Sequence, residues 1–265
     1  MDKIKSFDQF LNEAQFNIKN PGEAADVLAN IIKSNRNVKE TPKGSNAGTE
    51  VAKYLKSVGL PPGLPWCAAF VYYIFSELSK KLSVPNPLAK TGGVMQQWES
   101  ASNDIKITAD RARTNHKLIR PGQVFIMRRP GRGLGHMGIV INVNLSKGTF
   151  TSIEGNTNDK LSGEGDRVGV NVRRIDSKDL VGFIDYFKNQ RDVGFENKLS
   201  KAVDGKASML PPEEGGPEDD VVGKGEFGSA GDDAIDKSFG GMLLSTLGGK
   251  ELTVGEVSNM LSKLR

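Results

Sequence analysis

The feature that most restricts the fold of this chain is a run of five strand-like segments that follow one another closely. We predict strands at 123–127, 136–143, 149–154, 168–173 and 182–187. Parallel strands need a crossover helix between them, and none of the intervening segments has a helical pattern. Four helices are predicted upstream, at 24–33, 49–58, 66–80 and 93–100. Helices first and consecutive strands afterwards predict an α+β fold, with N-terminal helices packed on an antiparallel sheet.

Composition divides the chain into four zones. Residues 1–19 include a stretch whose apolar side chains have helical spacing, which predicts a leader or an amphipathic helix. Residues 20–190 carry the dense helix and strand pattern. Residues 191–240 are rich in Gly, Pro and acidic residues, which is typical of a flexible, disordered linker. Residues 241–265 hold enough apolar side chains for short helices.

Charge is distributed unevenly along the chain. Residues 1–200 carry 29 Lys and Arg against 20 Asp and Glu, a net charge of +9, whereas residues 201–265 carry 7 against 12, a net charge of −5. A basic body suits a polyanionic partner such as a cell wall, although ordinary solvated lysines give the same count. We expect no nucleic-acid partner and no membrane span, because the chain has no nucleic-acid-binding motif and no apolar run of about 20 residues.

The single cysteine, Cys67, lies where a proline-rich loop leads into an apolar helix, in the segment Pro65-Trp66-Cys67-Ala68-Ala69. A helix N-terminus and a nearby imidazolium both lower the pKa of a thiol, which makes it a nucleophile at neutral pH. The N–H groups of the first turn could also hold an oxyanion. The alternative is a structural cysteine buried in the core.

Two later segments supply partners for such a thiol. His136 opens a predicted strand directly after a glycine-rich loop, whereas His116 lies in a polar stretch and is interpreted as a histidine with no catalytic role. Glu154 and Asn156 lie two residues apart and share a face if the strand continues through Gly155. Either could accept the Nδ1–H of His136 and fix its tautomer. Taken alone, a Glu-Gly-Asn-Thr run is more typical of a turn.

The segment from Gly59 to Val71 closely resembles the nucleophile region of CHAP domains, the cysteine, histidine-dependent amidohydrolases/peptidases that act on peptidoglycan. Further segments resemble that family in the same order along the chain. They are residues 44–58, 120–125, 135–140 and 154–157. The resemblance covers about residues 20–187 and belongs to the wider NlpC/P60-like, papain-fold superfamily.

This resemblance implies a papain-like fold and hydrolysis of an amide bond in cell-wall peptide. Carried over by position, Cys67 is the nucleophile, His136 the general base and acid, and Glu154 the orienting group. Asn156 would help to polarise the site, and Trp66 would lie beside the nucleophile and bind substrate. No cofactor is implied. Some relatives bind calcium near the cysteine, but the segment 40–65 has only two carboxylates, so we expect no metal.

Residues 1–14 resemble the leaders of proteins packaged in the heads of large tailed phages, which are cut after a Leu/Ile-x-Glu triplet, here Leu11-Asn12-Glu13. Together with an N-terminus that lacks a signal-peptide core, this predicts a phage lysin or a virion-associated hydrolase. Its location would be the virion or the cytoplasm of an infected host. The simpler interpretation of residues 1–14 is an amphipathic helix.

Two other functions stay open at this point. One is a virion structural or adaptor protein that keeps the fold without turnover and binds virion proteins through its C-terminal segment. The other is an amidase that acts on a small peptide conjugate, such as a glutathione–polyamine adduct. The sequence does not separate a muramoyl-alanine amidase from an endopeptidase.

Overall fold

The computed structural model describes residues 16–128, 135–158 and 165–202. The chain divides after Glu213 into two units, and every described residue belongs to the first. The described residues form six α-helices and six strands. The helices are α1 (Pro21–Asn35), α2 (Thr49–Ser57), α3 (Cys67–Leu82), α4 (Val94–Ser100), α5 (Ala109–Thr114) and α6 (Val193–Ser200). The strands are β1 (Lys106–Thr108), β2 (Val124–Arg128), β3 (Gly135–Asn144), β4 (Thr149–Thr157), β5 (Arg167–Arg174) and β6 (Leu180–Ile184).

All six strands belong to one sheet, in the order β1-β6-β2-β3-β4-β5, and every neighbouring pair is antiparallel. Consecutive strands β2 to β5 pair with their sequence neighbours, as expected where connections are too short for crossover helices. Helices α1, α2 and α3 precede the sheet, and α3 contacts both β3 and β4. The predicted α+β architecture with an antiparallel sheet is confirmed.

The sheet has a separate apolar cluster on each face. Side chains of α1 and α3 pack with Ile139, Ile141 and Ile153. The alternate strand positions, which point to the other face, include Val140 and Phe150 and form a second cluster with β6 and α5. The sheet is therefore buried between a large helical core and a smaller core on its opposite face.

Three elements depart from the predicted ones. Strand β1 and helix α5 were not expected, because three and six residues are too few to show a clear period. Helix α6 lies in the segment predicted to be linker. Its Phe195 and Leu199 are fully buried, and Phe195 packs on Phe187 with ring centroids 4.8 Å apart. The linker cannot begin at residue 191, since the folded unit extends at least to Ala202.

The predicted leader at 1–15 and the predicted linker and C-terminal helices beyond residue 202 lie outside the described residues. Within the described ranges, no helix has both the length and the apolar character needed to cross a bilayer.

Candidate active site

Cys67 is the first residue of α3. The proline-rich loop before it cannot continue a helix, so the helix starts here, with Trp66 as its N-cap. The first N–H groups of an α-helix lack intrahelical acceptors and carry partial positive charge, which favours an anion at this end. Cys67 is 5% exposed, and its Sγ lies 4.0 Å from the carbonyl oxygen of Gly135. The helix end favours a thiolate at Cys67, whereas in the contact with the first residue of β3 the protonated thiol is the donor.

Trp66 is fully buried, in contrast to the expectation that it contacts substrate. Its indole Nε1–H donates to Glu40 Oε1 at 2.9 Å, and Glu40 Oε2 accepts from the N–H of Asn46 at 3.1 Å. Gly155 approaches Trp66 and Phe70 so closely that a Cβ there would lie 2.5 Å from Phe70 Cβ. Trp66 therefore fixes the start of α3 against the loop before it and against β4, and it presents no surface to a ligand.

His136 is the second residue of β3 and is 2% exposed. Its Nε2 lies 2.8 Å from Glu154 Oε2. A carboxylate only accepts, so Nε2 carries the proton of this bond. The predicted role of Glu154 is thus matched in geometry but through Nε2, and the expectation of an Nδ1–H bond is wrong. Cys67 is also a hydrogen-bonding partner of His136 and raises the pKa of its ring.

Gly138 explains how Glu154 reaches this histidine. Glu154 is on β4, and strand alternation places Gly138 on the same face of β3 as His136. A Cβ on Gly138 would lie 2.7 Å from Glu154 Cγ, so any side chain there would occupy the space of the carboxylate. The missing side chain lets Glu154 lie across β3 and bond to His136.

Glu154 is fully buried and its carboxylate is surrounded by donors. Arg173 holds both oxygens, with Nε to Oε1 at 2.5 Å and Nη2 to Oε2 at 2.6 Å. Besides His136, three further donors complete the shell. They are Ser152 Oγ to Oε1 at 2.6 Å, Asn171 Nδ2 to Oε2 at 3.0 Å and Thr157 Oγ1 to Oε2 at 3.1 Å. A buried charge is tolerated when it is paired and hydrogen-bonded in this way.

The network shifts two pKa values. Burial raises the pKa of Glu154, but the Arg173 guanidinium and then His136 outweigh burial and hold the pKa of that carboxyl well below its usual range. Burial lowers the pKa of His136, whereas the hydrogen bonds to Cys67 and Glu154 raise it, and the result is a raised pKa. Glu154 is therefore ionised at neutral pH, and the site favours the protonated imidazole.

Asn156 does not join this network. It lies at an irregularity where the register of β4 against β5 shifts between Glu154 and Thr157, and its φ of 52° is left-handed. The bulge breaks the alternation that would have placed Asn156 on the face of Glu154, and Thr157 takes that place. Among the described residues, the buried Oδ1 of Asn156 has no hydrogen-bond partner.

Two residues that bind the Glu154 carboxylate, Asn171 and Arg173, were not predicted from the sequence. Arg173 and Asn171 lie on β5, where the alternating Val168, Val170 and Val172 suggest that the valine face is the buried one. The structure instead buries Asn171 and Arg173, while Val170 and Val172 are half-buried. The polar Asn171 and Arg173, two residues apart on one face of a predicted strand, are the signal that could have found them.

His116 lies outside the site, as the sequence interpretation expected. It begins a short 3₁₀ turn, and its Nδ1 is 3.4 Å from the carbonyl oxygen of Leu145. The described residues contain no group of three or more His, Cys, Asp or Glu side chains that could hold a metal ion.

Comparison with protein families gives a match to the CHAP domain over residues 59–156, which is less than half of the chain. The matched residues run from the loop before Cys67 to Asn156 and include His136 and Glu154. The chain carries a CHAP domain. This CHAP domain implies amidase or peptidase activity on peptidoglycan, and the helices and antiparallel sheet are consistent with its papain-like fold. Comparisons with curated proteins and with solved structures find no match.

The CHAP match ends before β5 begins. Arg173 and Asn171, which hold the Glu154 carboxylate, are therefore outside the matched residues, as are Glu40 and helix α1. The structure adds these residues to the surroundings of the site.

Proposed function

We propose that this protein is a peptidoglycan hydrolase that cleaves an amide bond of cell-wall peptide, with Cys67 as nucleophile, His136 as proton carrier and Glu154 as orienting group. The observation that carries the proposal is the position of His136. Its Nε2 lies 2.8 Å from the Glu154 carboxylate, and a hydrogen bond with Cys67 raises its pKa. A nucleophile, a base and an orienting group in hydrogen-bonding sequence are the constellation of thiol hydrolases.

In the proposed reaction, the Cys67 thiolate attacks the amide carbonyl, and the first N–H groups of α3 stabilise the resulting oxyanion. The imidazolium of His136 then gives its proton to the leaving amine, and the C–N bond breaks to leave a thioester on Cys67. Neutral His136 next takes a proton from water, which attacks the thioester and releases the carboxylic acid. The thiolate–imidazolium pair is restored for the next turnover.

Arg173 gives the proposed site a particular charge balance. Since its guanidinium already neutralises Glu154, that carboxylate orients the imidazole without supplying a full uncompensated negative charge. The counterion of the imidazolium is then the Cys67 thiolate, and the two form together. The arrangement thus couples ionisation of the nucleophile to protonation of the acid that the next step needs.

The proposal is tested by incubating the purified protein with purified Gram-negative and Gram-positive peptidoglycan. We expect loss of turbidity, one new amine for each bond cleaved, and fragment masses that name the bond as the muramoyl-alanine amide or a peptide bond. Because Cys67 is the sole cysteine of the chain, carbamidomethylation by iodoacetamide at that residue should stop the release of amines. If the protein is folded but reduces the turbidity of neither peptidoglycan, the hydrolase proposal fails and the virion adaptor function is favoured.

We also propose a phage lysin or virion-associated setting, which rests on residues 1–14 and their Leu11-Asn12-Glu13 triplet. These residues lie outside the described ranges. Mass spectrometry of purified virions should find a chain that begins at Ala14. A chain that still begins at Met1 in every particle would contradict processing at this site.

A further inference from the structure

A pocket of about 270 Å³ opens beside β1, at the edge of the sheet. It is formed by β1, helix α5, the 3₁₀ turns before and after α5, and the segment that follows β6. Six basic side chains line it, against two acidic ones, Asp104 and Asp185. The basic residues are Lys106, Arg111, Lys117, Arg120, Lys188 and Arg191. The volume is near the lower end of the range for small-molecule sites.

Half of these cations are compensated by carboxylates. Arg191 pairs with Asp185, Lys188 lies 3.8 Å from Asp104, and Arg120 pairs with Glu196 at 2.8 Å. Lys106, Arg111 and Lys117 have no carboxylate within 4 Å in the part of the chain that the structure describes. Within the described residues, these three cations line one concave surface without a carboxylate to compensate them, which raises the local concentration of anions. Lys106 Nζ also donates to Asn103 Oδ1 at 3.3 Å and lies 5.4 Å from the centre of the Trp98 ring.

Arg191 gives this surface a buried donor. Its side chain is only 5% exposed, and its guanidinium is held in place by Asp185, which also accepts from Gln123 Nε2 at 3.0 Å. The Nε of Arg191 has no hydrogen-bond partner within the described ranges, although it is buried. A buried donor without an acceptor is unfavourable, so the Nε of Arg191, fixed at the wall of a cationic pocket, is positioned to donate to an oxyanion.

This pocket is separate from the proposed catalytic residues. His136 is on β3 and Glu154 on β4, whereas β1 is the edge strand, three positions from β3 in the order of the sheet. At about 4.8 Å for each strand, that is roughly 14 Å across the sheet. No residue that lines the pocket belongs to the Cys67–His136–Glu154 network.

We propose that this pocket binds a phosphoryl group, either as a free anion or as one unit of a phosphate-bearing polymer. A carboxylate would neutralise only one of the three uncompensated charges, whereas a phosphate brings up to two negative charges and more acceptor oxygens. A guanidinium matches that geometry, and Arg111 contributes one, whereas Arg191 donates through Nη1 and Nη2 to Asp185 and offers its Nε. The proposal does not depend on the hydrolytic function, because binding is measured without turnover.

The test is calorimetry of the full chain with two probes at constant ionic strength, inorganic phosphate and synthetic poly(glycerol phosphate). We expect the Arg111→Gln/Lys117→Gln variant to bind each probe about tenfold more weakly than the parent protein. The matched control, Lys33→Gln/Lys56→Gln, removes the same charge from exposed positions of α1 and α2 and should change affinity less than twofold. Thermal unfolding of both variants checks that they remain folded.

Tighter binding of the polymer would support a polymer-borne phosphate, and tighter binding of inorganic phosphate a free one. Either result supports the pocket, provided that only the pocket variant loses affinity. Equal losses in both double variants would overturn it, because general positive charge would then explain the binding. So would binding of acetate as strong as that of phosphate, or no binding of either probe by the parent protein.

Discussion

Replacing Cys67 by Ala or His136 by Gln is expected to lower the rate of amide hydrolysis in purified peptidoglycan by about 10³-fold or more. In the proposed mechanism, the first change removes the sulfur that attacks the carbonyl. The second removes the group proposed to protonate the leaving amine, while Gln can still donate a hydrogen bond to the buried Glu154. The measurement is the rate at which new amines appear, at equal concentrations of folded protein.

The matched control for His136 is the other histidine. His116→Gln makes the same chemical change at a partly exposed turn whose ring meets only the Leu145 carbonyl among the hydrogen bonds of the described residues. Its rate should stay within twofold of the parent rate. Equal loss in both histidine variants, or retained activity in Cys67→Ala, would contradict the proposed mechanism.

Replacing Arg173 by Met is expected to lower the free energy of unfolding at pH 7 by about 3–5 kcal/mol, which is the typical cost of leaving a buried charge unpaired. Glu154 is fully buried and would keep its carboxylate but lose both guanidinium bonds. The Met side chain resembles the Arg stem in length and can still pack near Phe125, whose ring lies 5.2 Å from Arg173 Cζ. Urea denaturation followed by circular dichroism measures the difference.

The neighbouring residue is the control for Arg173. Arg174 pairs with Asp176 at the surface, and its side chain is 65% exposed, so Arg174→Met should cost less than about 1 kcal/mol. A double variant, Arg173→Met with Glu154→Gln, removes both buried charges and should recover part of the lost stability. If the single and double variants are equally unstable, packing rather than charge explains the loss.

The effect of Arg173 should also depend on pH, with a definite sign. The pKa of Glu154 is lower in the folded than in the unfolded protein, so its ionisation stabilises the fold above the unfolded value of about 4.3. That contribution disappears as the pH falls through the folded pKa. The stability difference between the parent protein and Arg173→Met should therefore shrink below about pH 4. A difference that stays constant down to pH 3 would exclude Glu154 as its source.

Much of the fold could be predicted from the sequence because its central elements are long and periodic. Helix α3 and strands β3 and β4 lie within a few residues of their predicted bounds. Helix α6 was missed because the composition of residues 191–240, taken as a whole, is typical of a linker. Burial of Phe195 depends on a partner, Phe187, that local composition does not reveal.

The candidate site also has a part that the sequence predicted and a part that it did not. Cys67, His136 and Glu154 could be found because each lies in a distinctive segment. The atom that joins His136 to Glu154 could not be predicted, since it depends on the rotamer of the ring. Asn156 was misplaced because a bulge changes which face a residue occupies, and Trp66 because an indole next to a nucleophile can point into the core as well as toward a ligand.

The proposed site combines residues from both faces of the sheet, so its assembly depends on the contact between helix α3 and the sheet. Cys67 belongs to a helix on one face of the sheet, while the shell around Glu154 lies on the face of the second cluster. A chain that has formed its sheet but has not yet docked α3 holds the imidazole without its thiol partner. The proposed site is therefore complete only when α3 is docked on the sheet, and a chain in which that contact is lost has no assembled nucleophile.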